Sequence, residues 1–179
     1  ILAKAKKKGW KKLAAETERY FSSLMNRCQA DLGDSPPEVS AMTTPERLAR
    51  VKQGKKDPDL LEQLFQFGRF CTIVHTRPGQ LPCGLQGLWN PEQRAAWMGC
   101  YFLNINSQMN QWPSHVTGLG EFQQPYLEFV RSLLPYGEEF ARFLRRDGFC
   151  FGHYTDCWKH TYFSGNNPEW AASLMNGAW

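Results

Sequence analysis

Apolar residues recur three, four and seven positions apart in three separated stretches of the chain, and this period commits those stretches to helices. Over residues 9–28 they are Trp10, Leu13, Ala14, Phe21, Leu24, Met25 and Cys28, with Lys11, Lys12, Glu16, Glu18 and Arg19 off the stripe. Gly33 and the pair Pro36 and Pro37 end this helix. A short helix is predicted from Pro45, with Thr44 as its cap and Arg47, Leu48 and Val51 behind it. Asp57 or Asp59 can start the next helix, whose stripe of Leu60, Leu61, Leu64, Phe65, Gly68, Cys71 and Val74 is expected to be buried up to His75. Residues 121–134 and 136–146 read as two more helices broken at Pro135, with Phe122, Tyr126, Phe129, Val130 and Leu133 inside.

Two stretches behave differently. Residues 76–113 are rich in Gly, Pro, Trp and carboxamides, and residues 148–179 are aromatic and polar, so both read as loops. Helices alternating with long aromatic loops imply an all-α architecture with function on the loops. At 14% aromatic residues the chain is not a disordered one. No internal repeat of 20–50 residues marks a solenoid, and no run of ~18 apolar residues marks a membrane span.

The formal net charge of +4 is local. Lys4, Lys6, Lys7, Lys8, Lys11 and Lys12 carry it, and the rest of the chain holds 15 basic against 17 acidic residues. Phosphate binding needs a basic patch that recurs over the fold, so these lysines read as the wet face of a helix, and a nucleic-acid partner is not expected. The chain opens at Ile1 without a signal peptide, and no N-x-[ST] acceptor is present, which leaves the compartment open. Six cysteines, at 28, 71, 83, 100, 150 and 157, form no C-x-x-C pair. They read as small buried hydrophobes, although an even count permits disulfides.

The chemistry concentrates in residues 86–112, where Gln86, Asn90, Gln93, Asn104, Asn106, Gln108, Asn110 and Gln111 sit beside Trp89, Trp97, Tyr101 and Trp112. A carboxamide offers a donor and an acceptor to neighbouring sugar hydroxyls, and a flat ring suits the C–H face of a pyranose. Such a mixture fits a carbohydrate site and equally a polar loop over core aromatics. Glycoside hydrolysis ordinarily takes two carboxyl groups, and here Glu92, Glu121, Glu128 and Asp156 are the candidates. His153, Asp156 and His160 could reach one metal, but the spacing matches no established metal motif, so no metal or other cofactor is expected. No nucleophile elbow, P-loop or dinucleotide fingerprint is present.

In family order, Phe67-Gly68-Arg69-Phe70, Arg77-Pro78-Gly79, Leu81-Pro82 and Leu85-Gln86-Gly87-Leu88-Trp89-Asn90 resemble the inverting α-L-fucosidases of glycoside hydrolase family 95. So do Asn104-Ile105-Asn106-Ser107-Gln108-Met109-Asn110, Trp112-Pro113, Thr155-Asp156 before Trp158, and Gly177-Ala178-Trp179. The resemblance implies that residues 1–179 are part of an (α/α)6 toroid of paired helices, acting on terminal α-L-fucosides or α-L-galactosides with inversion and without a metal. It also implies that Asn104 and Asn106 hold the attacking water with the support of a carboxylate. Gln86 and Trp89 would line the pocket, and His153 and Asp156 would hold the sugar. Family members are extracytoplasmic or secreted as a rule, which is what the resemblance implies for compartment.

The sequence departs from the family pattern at four places. Phe102 stands where the family has His or Thr, Tyr154 where it has Asn, Gln111 where it has Tyr, and Ser173-Leu174-Met175-Asn176-Gly177 replaces Trp-Pro-Met-Gly-Gly. Exchanging a polar sugar contact for Phe removes a hydrogen bond worth about 1–3 kcal/mol. In the family the general-acid Glu and the supporting Asp follow the Gly-Ala-Trp stretch, so residues 1–179 alone are expected not to turn over substrate, an acid being worth roughly 10²–10⁴ in rate. The rest of the catalytic domain or a partner protein would complete the toroid. The alternative reading is a catalytically degenerate homologue serving as a structural or carbohydrate-binding subunit of an assembly.

Overall fold

A computed structural model describes residues 1–161 and 175–178. The chain divides into two compact units, Ile1–Phe70 and Cys71–Trp179. The chain is mostly helical, as the period predicted, and no helix among the described residues is long and apolar enough to cross a membrane.

In the first unit the lysines form a short helix of their own, α1 (Leu2–Lys8), which buries nothing. Gly9, at φ 79°, separates it from α2 (Trp10–Met25). Leu24 is buried and Leu13, Ala14, Phe21 and Met25 are partly so, whereas Trp10 at the start of the stripe is 81% exposed. After α3 (Pro37–Ser40) comes α4 (Thr44–Lys52). Its cap is Thr43, one residue ahead of the expected Thr44, because Glu46 accepts hydrogen bonds from both the backbone N–H and the hydroxyl of Thr43. The long helix α5 (Pro58–His75) is started by Asp57, which accepts from the Leu60 N–H at 3.2 Å. Arg47 grips the same buried carboxylate at 2.6 and 2.9 Å, and Ser35 donates to it at 2.8 Å. Arg47, burial and Ser35 act together on Asp57, and the net effect holds its carboxyl well below the usual carboxylate range.

The stripe on α5 is not buried throughout. Leu60 turns inward, while Leu61 and Leu64 are 51% and 65% exposed and form an apolar groove with Leu48, Val51 and Phe67. Helical spacing names apolar residues without telling which of two apolar faces a helix covers, and α5 carries two. Its inward face also holds Arg69, only 3% exposed. The Arg69 guanidinium donates to the carbonyls of Leu24, Met25 and Cys28 at 2.7–2.8 Å, so it closes the C-terminal end of α2. That is the structural role of the arginine in the family-like run Phe67-Gly68-Arg69-Phe70.

The second unit is organised by α8 (Gln124–Phe143), a single helix rather than two. Pro135 lies inside it without breaking it, because Leu133, Phe140 and Ala141 on either side are buried at 0–1% exposure. Their burial outweighs the lost backbone hydrogen bond, a cost of about 3 kcal/mol. Against α8 pack Tyr101, Leu103 and Phe151, with Phe129 and Leu133 from the helix itself. These residues flank two very short strands, β1 (Tyr101–Phe102) and β2 (Tyr154–Thr155), paired antiparallel with Tyr101 opposite Thr155 and Phe102 opposite Tyr154. Two-residue strands leave no alternation to read, so the sequence gives no warning of them. Within the expected loop, α6 (Asn106–Gln111) and α7 (Pro113–Val116) also form.

Candidate active site

The β1–β2 pairing brings the two polar segments together. The Leu103 N–H donates to the His153 carbonyl at 2.9 Å, so the backbone leading into Asn104 runs beside His153. Tyr101 anchors β1 from below. Its hydroxyl donates to the Pro82 carbonyl at 3.0 Å, and burial pushes its pKa up to about 12. The loop carrying Gln86 is thereby tied to the same sheet.

Asn104 follows β1, and its Oδ1 is buried with no hydrogen-bond partner among the described residues. Asn106 opens α6 and, with Leu85, Gln86 and Trp97, lines an open cavity of about 320 Å³. Gln86 also borders a second cavity of about 360 Å³, together with His75, Cys83, Met109 and Asn110. The Gln86 Oε1 accepts from Asn90 Nδ2 at 2.6 Å, which fixes its orientation. Gly87, next to Gln86, has φ 64°, and a Cβ there would lie 2.6 Å from the His75 ring. Only glycine lets this turn close on the imidazole.

Trp89 lies 58% exposed with its ring edge-on to His75 at 5.0 Å, and it does not line the cavity shared by Gln86 and Asn106. His153 packs edge-on against Phe102 at 5.2 Å, and Tyr154 lies over the same ring at 5.4 Å. Phe102 is therefore a wall residue for both. Asp156 accepts from the Trp158 and His160 backbone N–H groups and meets His160 Nδ1 at 2.6 Å. Burial raises its pKa, and these hydrogen bonds outweigh burial and leave it lowered. Its carboxylate is thus committed within its own turn. Among the described residues no group of three or more His, Cys, Asp or Glu could hold a metal ion. All six cysteines are free thiols.

The sequence assigns no site role to three features of the structure. His75 borders the second cavity with its Nε2 buried and unpartnered among the described residues, and burial pushes its pKa down. Gln108 and Gln111 are buried at 3% and 2% exposure, each with an Oε1 that has no partner among the described residues. Trp97 is one of several aromatics in its segment, and nothing in the sequence marks its left-handed backbone. Of the family-like Gly177-Ala178-Trp179 run, Trp179 lies outside the described residues, as do Ser173 and Leu174.

The carboxamides Gln86 and Asn106 and the exposed indole of Trp97 share one cleft. The sequence profile of the glycosyl hydrolase family 95 catalytic domain matches residues 9–179, and the chain belongs to that family. It is 33% identical over 162 residues to Alpha-L-fucosidase 2 of Arabidopsis thaliana, covering 89% of this chain and 19% of that protein. It is 33% identical over 178 residues to Probable alpha-fucosidase A of Aspergillus niger, covering 98% of this chain and 22% of the relative. The protein of the same name from Aspergillus oryzae is 36% identical over 138 residues, covering 74% of this chain and 19% of its own length. The chain thus spans about a fifth of the length of these curated relatives.

Proposed function

We propose that residues 1–179 are part of an (α/α)6 catalytic domain that hydrolyses terminal α-L-fucosides, or α-L-galactosides, with inversion. The observation that carries this reading is the cavity lined by Gln86 and Asn106, with the buried, unpartnered Oδ1 of Asn104 on the adjoining segment. In the proposed mechanism Asn104 and Asn106 hold the water that attacks the anomeric carbon from the face opposite the leaving oxygen. An amide is too weak a base to take the water's proton alone, so a carboxylate must receive it. Asp156 is spoken for by His160 and two backbone N–H groups, which favours a carboxylate from outside the described residues. The acid that protonates the leaving oxygen comes from outside them as well in this reading, supplied by the rest of the domain or by a partner protein. Gln86 borders the sugar and His153 steadies its hydroxyls in this reading, while Trp89 packs on His75 outside that cavity and Asp156 is held within its own turn.

The test is to supply the complete protein with an α-1,2-linked fucosyl galactoside and follow released sugar by NMR. Inversion gives the β anomer first, and Asn104→Ala or Asn106→Ala lowers kcat by roughly 10²–10⁴. Release of the α anomer, or full activity in both variants, refutes the mechanism. One observation favours a second reading, a degenerate carbohydrate-binding or structural subunit: an apolar, buried Phe102 ring packs against both His153 and Tyr154. That reading requires no hydrolysis by the complete protein and assembly that survives the Asn104→Ala, Asn106→Ala double variant.

A further inference from the structure

Trp97 and Met98 are consecutive non-glycine residues in the left-handed region, at φ 50°, ψ 30° and φ 59°, ψ 12°. Gly99 continues the run at φ 64°. For bulky side chains this conformation is unfavourable, because Cβ crowds the following carbonyl, and it persists only where the surroundings enforce it. Here the Met98 N–H donates to the Ala95 carbonyl at 3.0 Å and the Cys100 N–H to the Trp97 carbonyl at 3.2 Å. The Gly99 carbonyl lies 3.0 Å from where a Gly84 Cβ would be, so the turn is pressed against the loop that carries Gln86.

This strained turn does not bury its tryptophan. The indole of Trp97 remains 65% exposed, and it lines the same cavity as Gln86, Asn106 and Leu85. A ring held at a conformational cost and left in water contributes little to folding. The two carboxamides that share the cavity suit vicinal hydroxyls, while an indole face suits the C–H hydrogens of a sugar ring.

We infer that Trp97 is the stacking platform of this cavity, taking the C–H face of a pyranose whose hydroxyl edge meets Gln86 and Asn106. The inference rests on the proposed reading of the cavity as a sugar site and adds the residue that selects among sugars. A pyranose with one uninterrupted apolar face stacks on the ring, and one with an axial hydroxyl on that face is rejected. The left-handed turn aims the ring, so its geometry as well as the indole sets affinity.

Methyl α-L-fucoside, methyl β-D-galactoside and methyl α-D-mannoside are titrated into the full chain, with the Trp97 indole and the Gln86 and Asn106 side-chain amides followed by NMR. One glycoside is expected to move all three groups. For it, Trp97→Ala raises Kd at least tenfold, Trp97→Phe raises it less than threefold, and Trp10→Ala on α2 leaves it unchanged. Met98→Gly, which releases the strain, raises Kd while raising resistance to urea. Circular dichroism establishes that each variant is folded. An unchanged Kd in a folded Trp97→Ala variant overturns the platform and leaves fucoside hydrolysis standing. Stacking of galactoside or mannoside with no response to fucoside supports the platform and overturns the fucoside reading. No shift at Trp97 with any of the three overturns the inference outright.

Discussion

Gly137 sits within α8 at the point where the chain leading into β2 crosses the helix, and replacing it tests the packing that assembles the site. A Cβ at this position would lie 2.4 Å from Phe151 Cε1, 2.8 Å from Cδ1 and 3.2 Å from the Cys150 carbonyl oxygen. Ordinary carbon contacts are about 3.5–4.0 Å, so the ring must retreat by roughly 1 Å. It has nowhere to go: Phe151 is 1% exposed, and the neighbouring Cys150 N–H is bonded to the Gly137 carbonyl at 3.0 Å. Gly→Ala in a helix gains about 1 kcal/mol of propensity, and overpacking a filled site costs about 1–3 kcal/mol. With both neighbours fixed the cost lies near its upper end, giving a net loss of about 2 kcal/mol for Gly137→Ala. Gly68 supplies the comparison, being exposed within α5 with nothing within 4 Å of its absent Cβ. Gly68→Ala is expected to stabilise by about 0.5–1 kcal/mol. Urea unfolding of the two variants measures both, and hydrogen exchange at Leu103 N–H, bonded to His153, should quicken only in Gly137→Ala. Equal stabilisation by the two substitutions would refute the claim that the Phe151 contact positions β2.

His75 gives a pH dependence. Burial lowers its folded-state pKa below the ordinary 6.5, so the unfolded chain binds the proton more readily. Its contribution to stability is complete above pH 6.5 and is lost as the pH falls below that value; urea midpoints from pH 7.5 to 5.5 should decline in the wild type and flatten in His75→Asn. Arg69→Met removes the donors that close α2 and leaves three carbonyls without them, a loss of about 3 kcal/mol or more. Arg69→Lys should recover only part of it, since one ammonium cannot reproduce the planar fork; a loss under about 1 kcal/mol in the Met variant would contradict the capping role.

Much of the site's composition was legible before its geometry. Gln86, Asn104 and Asn106 stand out as carboxamides among aromatics, a mixture that fits a sugar site and a polar loop equally; their roles and that of His153 come from the family resemblance, and Gln86 with Asn106 does share a cavity. The resemblance places Trp89 beside Gln86 in the pocket, and in the structure its ring meets His75. Asp156 looked like an available carboxylate because a sequence does not reveal that residues two and four positions later will fold back onto it. The conformation of Trp97 is illegible for a related reason: tryptophan has no preference for the left-handed region, so its conformation is imposed by the loop it presses against.

What the sequence determined by itself is the helical character of the chain and the position of its main helices, because the period of 3.6 residues is local. It also determined which chemical groups are available. Tertiary structure alone decided that α8 continues through Pro135, that Leu61 and Leu64 of the α5 stripe face outward, and that residues 101–103 pair with 153–155. Each of these depends on burial or hydrogen bonds between residues far apart in the chain, and such contacts leave no periodic trace in either partner's own segment.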